Sequence, residues 1–127
     1  TRGADIYRLH LASRRIERLT HGEFTPNTGA ARWYRDPAGR YQPVDTPNPY
    51  QWDHLGYGIL NLGPAPLAGG RIAFTSNRNG FAPPKGFTAP TLQLFVMDED
   101  GGNVVPIAPM TISSALHPTP LRDGRLM

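Results

Sequence analysis

The sequence contains no cysteine, which removes several kinds of chemistry at once. Disulfide bonds, zinc sites with cysteine ligands, a cysteine nucleophile and covalent haem attachment through Cys-x-x-Cys-His all require thiols. Ser76, Ser113 and Ser114 lie outside any Gly-x-Ser-x-Gly motif, so no serine hydrolase nucleophile is expected either. The sequence therefore predicts no catalytic residue and no cofactor site of its own.

Metal ligands and dense charge are also scarce. The four histidines, His10, His21, His54 and His117, are too scattered for the ligand spacing of a metal site. The 13 Lys and Arg residues are spread along the chain, and their densest run is Arg14-Arg15. This pattern favours a solvated surface over a phosphate-binding stripe, so no nucleic-acid partner is expected. No apolar run approaches the roughly 20 residues of a membrane helix, so no membrane span is predicted.

Turn-forming residues dominate, because the chain has 14 Gly and 14 Pro. Two runs rich in β-branched, aliphatic and aromatic residues stand between turn signals, 71–76 (RIAFTS) and 92–97 (LQLFVM). The 104–107 run (VVPI) is expected to return as an edge strand. Pro106 has no N–H group, and an edge strand can tolerate this because one of its sides is unpaired. The sequence therefore predicts an all-β fold.

Both faces of the predicted strand 92–97 are largely apolar, since alternation places Leu94 on one face and Phe95 on the other. A sheet of this kind must be covered on both sides, and no amphipathic helix of suitable length is available. We therefore expect other copies of the same unit to cover it. If neighbouring copies are missing, the exposed faces are expected to drive association through a set of five apolar residues, Leu92, Leu94, Val96, Phe95 and Met97.

Internal repeats supply such copies. Residues 62–72 return as residues 116–126, with six identities in eleven positions. A weaker echo pairs 6–9 with 94–97 and 16–19 with 104–107, both 88 positions apart. Short strands repeating with Gly-containing turns are typical of propeller blades.

The residues that carry these repeats also carry a family resemblance. The run 67–80 (LAGGRIAFTSNRNG), followed by 94–104 (LFVMDEDGGNV), resembles the repeat of TolB-type β-propellers. Within that group, 74–81 and 91–98, with 115–118 and 123–125 after them, are similar to the middle propeller domain of hydrazine synthase alpha subunit-like proteins. The resemblance implies four-stranded antiparallel blades, an exported or periplasmic location, and haem groups in neighbouring domains.

Residues 1–127 are expected to form one part of a β-propeller domain, whose other blades come from the rest of a longer polypeptide. Residues 1–20 are predicted to be the outer strands of one blade, 60–107 a complete blade, and 108–127 the start of the next. Between the first two lies a long inserted loop, 21–59, whose prolines and aromatic residues predict an ordered excursion. The expected partners are other blades of the same chain, other subunits or haem domains.

A second long loop, 77–91, is expected on the same side of the sheet as 21–59, because strands reverse direction at every turn. Loops gathered on one side of a repeat scaffold are the usual place for binding. The candidate ligand- or partner-binding residues share polar or aromatic side chains on or near these loops: Trp52, Asp53, His54, Tyr57, Arg78, Lys85 and His117. Four of these residues form a cluster in the first loop, Trp52, Asp53, His54 and Tyr57. The alternative interpretation is that their side chains only cap and pack this loop.

Two classes of function remain open from the sequence. The first is a scaffold or binding module of a larger exported protein, with its ligand-facing surface formed by 21–59 and 77–91. The second is the propeller domain of an enzyme, either a haem-dependent redox enzyme resembling the hydrazine synthase alpha subunit or a propeller-gated serine peptidase. Flanking sequence distinguishes them, because Cys-x-x-Cys-His indicates haem and Gly-x-Ser-x-Gly indicates the peptidase.

Overall fold

The chain is all-β in the computed structural model, which describes residues 3–22, 33–35, 41–43, 59–78, 91–108 and 114–127. The strands are β1 (Gly3–Ala4), β2 (Tyr7–Leu9), β3 (Ile16–Arg18), β4 (Trp33–Arg35), β5 (Tyr41–Pro43), β6 (Ile59–Leu67), β7 (Arg71–Ser76), β8 (Gln93–Asp98) and β9 (Val105–Ala108). Sheet interactions therefore hold together all of the regular structure in the described ranges.

The main sheet has five strands in the order β1-β6-β7-β8-β9. The last four pair antiparallel with their sequence neighbours, and Gly69 and Gly70 make the β6–β7 turn with positive φ values of 77° and 68°. This order confirms the predicted strand, loop, strand, tight turn and edge strand. Pro106 lies in the edge strand β9, as predicted.

The first of the two outer strands predicted within 1–20, residues 4–10, is divided in two, which the sequence did not indicate. Gly3–Ala4 pairs parallel with β6, whereas Tyr7–Leu9 pairs antiparallel with β3 to form a separate hairpin. Between the two pieces, the Ile6 backbone N–H donates to the Thr20 hydroxyl at 2.9 Å rather than to a strand partner. The main sheet is therefore mixed, and not purely antiparallel as expected.

The 21–59 segment, predicted as an ordered loop, contains the strands β4 and β5. They pair antiparallel as a two-stranded sheet, with Tyr34 opposite Gln42. This short sheet lies inside the segment for which the sequence predicts an ordered excursion.

The hydrophobic core lies between the β2–β3 hairpin and one face of β7 and β8. Phe74 stands opposite Phe95 in the ladder, and their ring centroids are 5.8 Å apart. Ile6 and Leu19 of the hairpin segment pack on these rings and on Met97. The expectation of exposed faces is therefore wrong for four of the five residues. The hairpin within the same chain covers Phe95 and Met97, and Leu92 and Val96 on the other face are also buried.

Both sequence repeats are repeats of strand pairing. Tyr7 stands opposite Arg18, and their equivalents 88 positions later, Phe95 and Pro106, are also opposite each other. In the other repeat, Pro66 pairs with Ile72 in the β6–β7 hairpin, and 54 positions later Pro120 pairs with Leu126. Equivalent residues of the two repeats are therefore paired in the same way at these positions, although the register shifts at Leu94, which stands opposite Ala108 rather than Ile107.

Candidate functional site

Both long segments join the main sheet at the same end of its strands. A row of three polar residues lies at this end, which we call the polar edge. Asn61, Ser76 and Gln93 lie side by side on β6, β7 and β8. The segment 79–90 begins and ends beyond this row, and the segment 23–58 ends just before β6. A Cβ atom on Gly22 would lie 3.3 Å from the Ile59 Cβ, so the first and second ends of the longer segment meet here.

A buried guanidinium group occupies the inner side of this polar edge. Arg78 is only 6% exposed, and its Cζ atom lies 5.0 Å from the ring centroid of Phe74 and 5.3 Å from that of Phe95. Cation–π contacts of this kind become stronger when water is excluded. Desolvation lowers the pKa of Arg78 to about 10, although the charge of Asp5 opposes this shift. The group therefore keeps its positive charge at neutral pH.

The hydrogen-bond partners of the Arg78 side chain are uncharged. Its Nη2 atom donates to the Asn61 Oδ1 at 2.7 Å, and its Nε atom donates to the Ser76 Oγ at 3.3 Å. Within the described ranges, no carboxylate forms a salt bridge with it. A buried charge without a direct counterion is costly, so the surrounding dipoles must be well oriented.

The side-chain amide of Asn61 provides such a dipole. Its Oδ1 atom accepts from Arg78 and from the Ser76 hydroxyl, the latter at 2.9 Å. Its Nδ2 atom donates to the Asp5 Oδ1 at 3.1 Å and to the Ala4 carbonyl oxygen at 3.2 Å. The amide thus turns its negative end toward the guanidinium and its positive end toward a carboxylate. If the amide oxygen and nitrogen exchanged places, the NH2 group would lie against the N–H and O–H donors of Arg78 and Ser76. This network therefore fixes the orientation of the amide.

The Asp5 carboxylate is the negative partner at the far end of this network. Its Oδ1 atom also accepts from the Thr20 hydroxyl at 2.7 Å and from the Gly22 N–H at 3.1 Å. Its Oδ2 atom accepts from Nε of Arg18 at 3.1 Å. Burial alone would raise the pKa of Asp5, but the hydrogen bonds from Thr20 and Arg18 and the Arg18 charge lower it overall.

A second charged cluster joins the hairpin to the opposite edge of the sheet. Arg8 donates from Nη2 to the Glu17 Oε2 at 2.7 Å, and from Nη1 to the Glu99 carbonyl oxygen at 2.9 Å. His10 Nε2 lies 3.2 Å from the same Glu17 oxygen. Hydrogen bonds from Arg8 and His10 lower the pKa of Glu17 to about 2. Arg8 therefore bridges the hairpin and the β8–β9 turn.

We expect this cluster to make stability depend on acid pH. The pKa of Glu17 is lower in the folded chain than its ordinary value of 4.5. Its contribution is therefore complete above pH 4.5 and is lost as the pH falls toward about 2. In urea unfolding across this pH range, the free energy of unfolding of wild type should approach that of Glu17→Gln as the pH falls.

The matched control for the acid effect is Glu99→Gln. Glu99 is exposed, and Arg8 contacts its backbone carbonyl rather than its side chain. The difference in free energy of unfolding between Glu99→Gln and wild type should change less across the same pH range. A Glu17→Gln difference that stays constant with pH would contradict the assignment.

The structure places two of the seven candidate binding residues. Arg78 is buried in the polar edge, and His117 is exposed, with a left-handed φ of 50° and its Cα 3.0 Å from a Cβ built on Gly63. These two residues are in different environments, and within the described ranges no hydrogen bond or ion pair joins them. The other five candidates lie outside the described residues: Trp52, Asp53, His54, Tyr57 and Lys85.

Sequence reasoning missed most of the polar network, namely Asp5, Arg18, Thr20, Asn61 and Ser76. One signal was available in β6, where Ile59 and Asn61 share a face by alternation, so the asparagine occupies an inward position. A polar residue in a position with apolar neighbours needs a partner when it is buried. The identity of that partner, 56 residues earlier in the chain, has no local signal.

Among the residues that the structure describes, no helix is long and apolar enough to cross a membrane. Within the same ranges, no three His, Cys, Asp or Glu side chains gather closely enough to hold a metal ion. Comparison with protein-family models, with curated proteins and with solved structures found no match to the chain.

Proposed function

We propose that the chain is part of a TolB-type β-propeller that serves as a scaffold and binding module in a larger, exported protein. The antiparallel order β6-β7-β8-β9, with each strand beside its sequence neighbour, is the strand order of a propeller blade. The two repeats of strand register support the same interpretation. The β2–β3 hairpin then corresponds to the outer half of one blade, and residues 114–127 to the first strands of another.

The observation that carries the binding role is the single edge from which both long segments leave. Asn61, Ser76 and Gln93 mark this edge, and the β8–β9 turn lies at the opposite one. The network of Asp5, Asn61 and Arg78 fixes the strands where the segments attach. Rigid attachment of long segments to one side of a scaffold is the usual design of a binding surface. The proposed ligand- or partner-facing surface is therefore built from 21–59 and 77–91.

Cysteine cross-linking tests this surface, because the chain has no cysteine of its own. The double variant Tyr57→Cys with Lys85→Cys places one thiol on each long segment. We expect a short bismaleimide to link these two positions within one molecule in high yield, since both segments leave the same edge. Mass spectrometry of protease digests identifies the linked peptides.

The control pair is Tyr57→Cys with Glu99→Cys, where Glu99 lies exposed beside the β8–β9 turn at the opposite edge. This pair should give little intramolecular product with the same reagent. Equal yields from the two pairs, or a higher yield from the control, would refute a shared binding surface.

A further inference from the structure

Two Asp-Gly dipeptides form tight turns in the described ranges, Asp100-Gly101 and Asp123-Gly124. Both glycines have a positive φ, 88° and 87° respectively. In each turn, the Oδ1 atom of the aspartate accepts a hydrogen bond from the N–H two residues later, at 2.8 Å for Asp100 and at 3.1 Å for Asp123. This bond folds the carboxylate over its own backbone. The Cγ atom is therefore held close to the glycine nitrogen that follows it.

This arrangement brings together the two groups that react when an aspartate isomerises. The glycine nitrogen attacks the Cγ atom of the protonated carboxyl group, the nitrogen loses its proton, and water leaves as a five-membered succinimide ring closes. A water molecule then opens the ring. Attack at the side-chain carbonyl restores aspartate, whereas attack at the main-chain carbonyl gives isoaspartate. Glycine favours the first step, because it has no Cβ atom to hinder its nitrogen.

The surroundings of the two glycines differ. Gly101 lies against the backbone of Leu19, because a Cβ atom built on it would overlap the Leu19 carbonyl oxygen. Nothing lies within 4 Å of a Cβ atom built on Gly124. The hydrogen bonds of the two glycine N–H groups are alike, at 2.9 Å to Asp98 and 3.0 Å to Leu121. Ring closure moves the glycine nitrogen, so the packed turn must first open locally, and the free turn need not.

We infer that Asp123, among the aspartates that the structure describes, is the site of spontaneous isoaspartate formation, and that Arg125 restrains the reaction. Arg125 donates to the Asp123 Oδ2 from Nε at 2.9 Å and from Nη2 at 2.7 Å. The guanidinium favours the ionised carboxylate, which reacts poorly because it has no hydroxyl group to lose. The Asp123 side chain is still 53% exposed, and exposed ion pairs are weak. Arg125 therefore slows the reaction and does not prevent it.

Isoaspartate at this position changes the turn that joins two paired stretches. The backbone then runs through the Asp123 Cβ atom, so the connection gains one carbon atom. Leu121 N–H donates to the Arg125 carbonyl oxygen at 2.8 Å, and Thr119 and Met127 exchange two backbone bonds of 2.9 Å. These bonds depend on the length of the turn, so the modification is expected to weaken them. The inference goes beyond the proposed function and does not depend on its binding surface.

Ageing of the folded chain in mildly acidic buffer, followed by digestion with the protease Asp-N, tests the site. Asp-N cuts before aspartate and not before isoaspartate. Isoaspartate at 123 therefore leaves the uncut peptide 100–127, and isoaspartate at 100 leaves the uncut peptide 98–122. We expect the first product to form about tenfold faster, because the turn at Gly101 must open before it reacts. In urea, where Leu19 no longer holds Gly101, the two rates should converge.

Arg125→Ala tests the restraint. It should raise the rate at Asp123 about two- to fivefold, the range expected from loss of an exposed ion pair, and leave the rate at Asp100 unchanged. Arg122→Ala is the matched control, because Arg122 is also exposed and forms no ion pair with Asp123 in the described part of the chain. Both of its rates should equal those of wild type. Circular dichroism checks that each variant is folded.

Isoaspartate that forms at Asp100 as fast as at Asp123 in the folded chain would overturn the inference, as would a folded chain in which neither product accumulates. If Arg125→Ala isomerises no faster than wild type, the restraint by Arg125 is wrong. Deamidation at the Asn79-Gly80 sequence, which lies outside the described residues, does not interfere, because Asp-N places it in the separate peptide 53–97.

Discussion

Replacing Gly101 with alanine is expected to reduce the free energy of unfolding by about 3 kcal/mol or more. Gly101 has a φ of +88°, a conformation that costs other residues roughly 1–2 kcal/mol. In addition, a Cβ atom at this position would overlap the backbone carbonyl oxygen of Leu19. The carbonyl belongs to the segment that packs on the core, so relieving the overlap would push the hairpin away from Phe95 and Met97.

Gly124→Ala separates the two causes. Gly124 has nearly the same φ, +87°, but nothing lies within 4 Å of a Cβ atom built there. We expect it to lose only about 1 kcal/mol, the backbone term alone. Urea denaturation followed by circular dichroism measures both variants. Equal losses for Gly101→Ala and Gly124→Ala would show that the close approach to Leu19 does not matter for stability.

Truncating Arg78 is expected to be the second large loss, about 3 kcal/mol for Arg78→Ala. The substitution removes the contacts with Phe74 and Phe95, the hydrogen bonds to Asn61 and Ser76, and most of the volume of a buried side chain. Arg122→Ala is the matched control, because this arginine is exposed. It should change the free energy of unfolding by less than about 0.5 kcal/mol.

Arg78→Met distinguishes packing from charge. Methionine keeps a long unbranched side chain against the two rings, and it removes the cost of burying a charge. We therefore expect a loss of about 1 kcal/mol or less, well below that of Arg78→Ala. If Arg78→Met is as damaging as Arg78→Ala in urea denaturation, the polar contacts of the guanidinium carry the stability and the packing interpretation is wrong.

The strands of the main sheet could be predicted because their signals are local. The runs that form β7 and β8 are dense in β-forming residues, and glycine pairs at 69–70 and 101–102 mark the turns beside them. The pairing register was present as well, in the repeats 54 and 88 positions apart, because equivalent residues of a repeat occupy equivalent positions in a sheet.

The polar edge could not be predicted to the same degree. Arg78 was selected for its place in a loop and for its charge, which suggests a residue that faces solvent. The structure buries it instead, since the Phe74 and Phe95 rings and the Asn61 amide together replace its hydration. None of these partners can be identified from local pattern, because they depend on which strands lie next to each other. The same limit applies to Asp5, whose partners come from β3, the following turn and β6.

The meeting of Gly22 and Ile59 has a consequence for how this protein can vary. The 36 residues between them are attached to the described strands at two points that lie side by side. The entropy of closing a flexible loop changes by only about 0.6 kcal/mol for each doubling of its length. An engineered change in the length of this segment is therefore expected to cost the described sheet little stability, as long as Gly22 and Ile59 still meet.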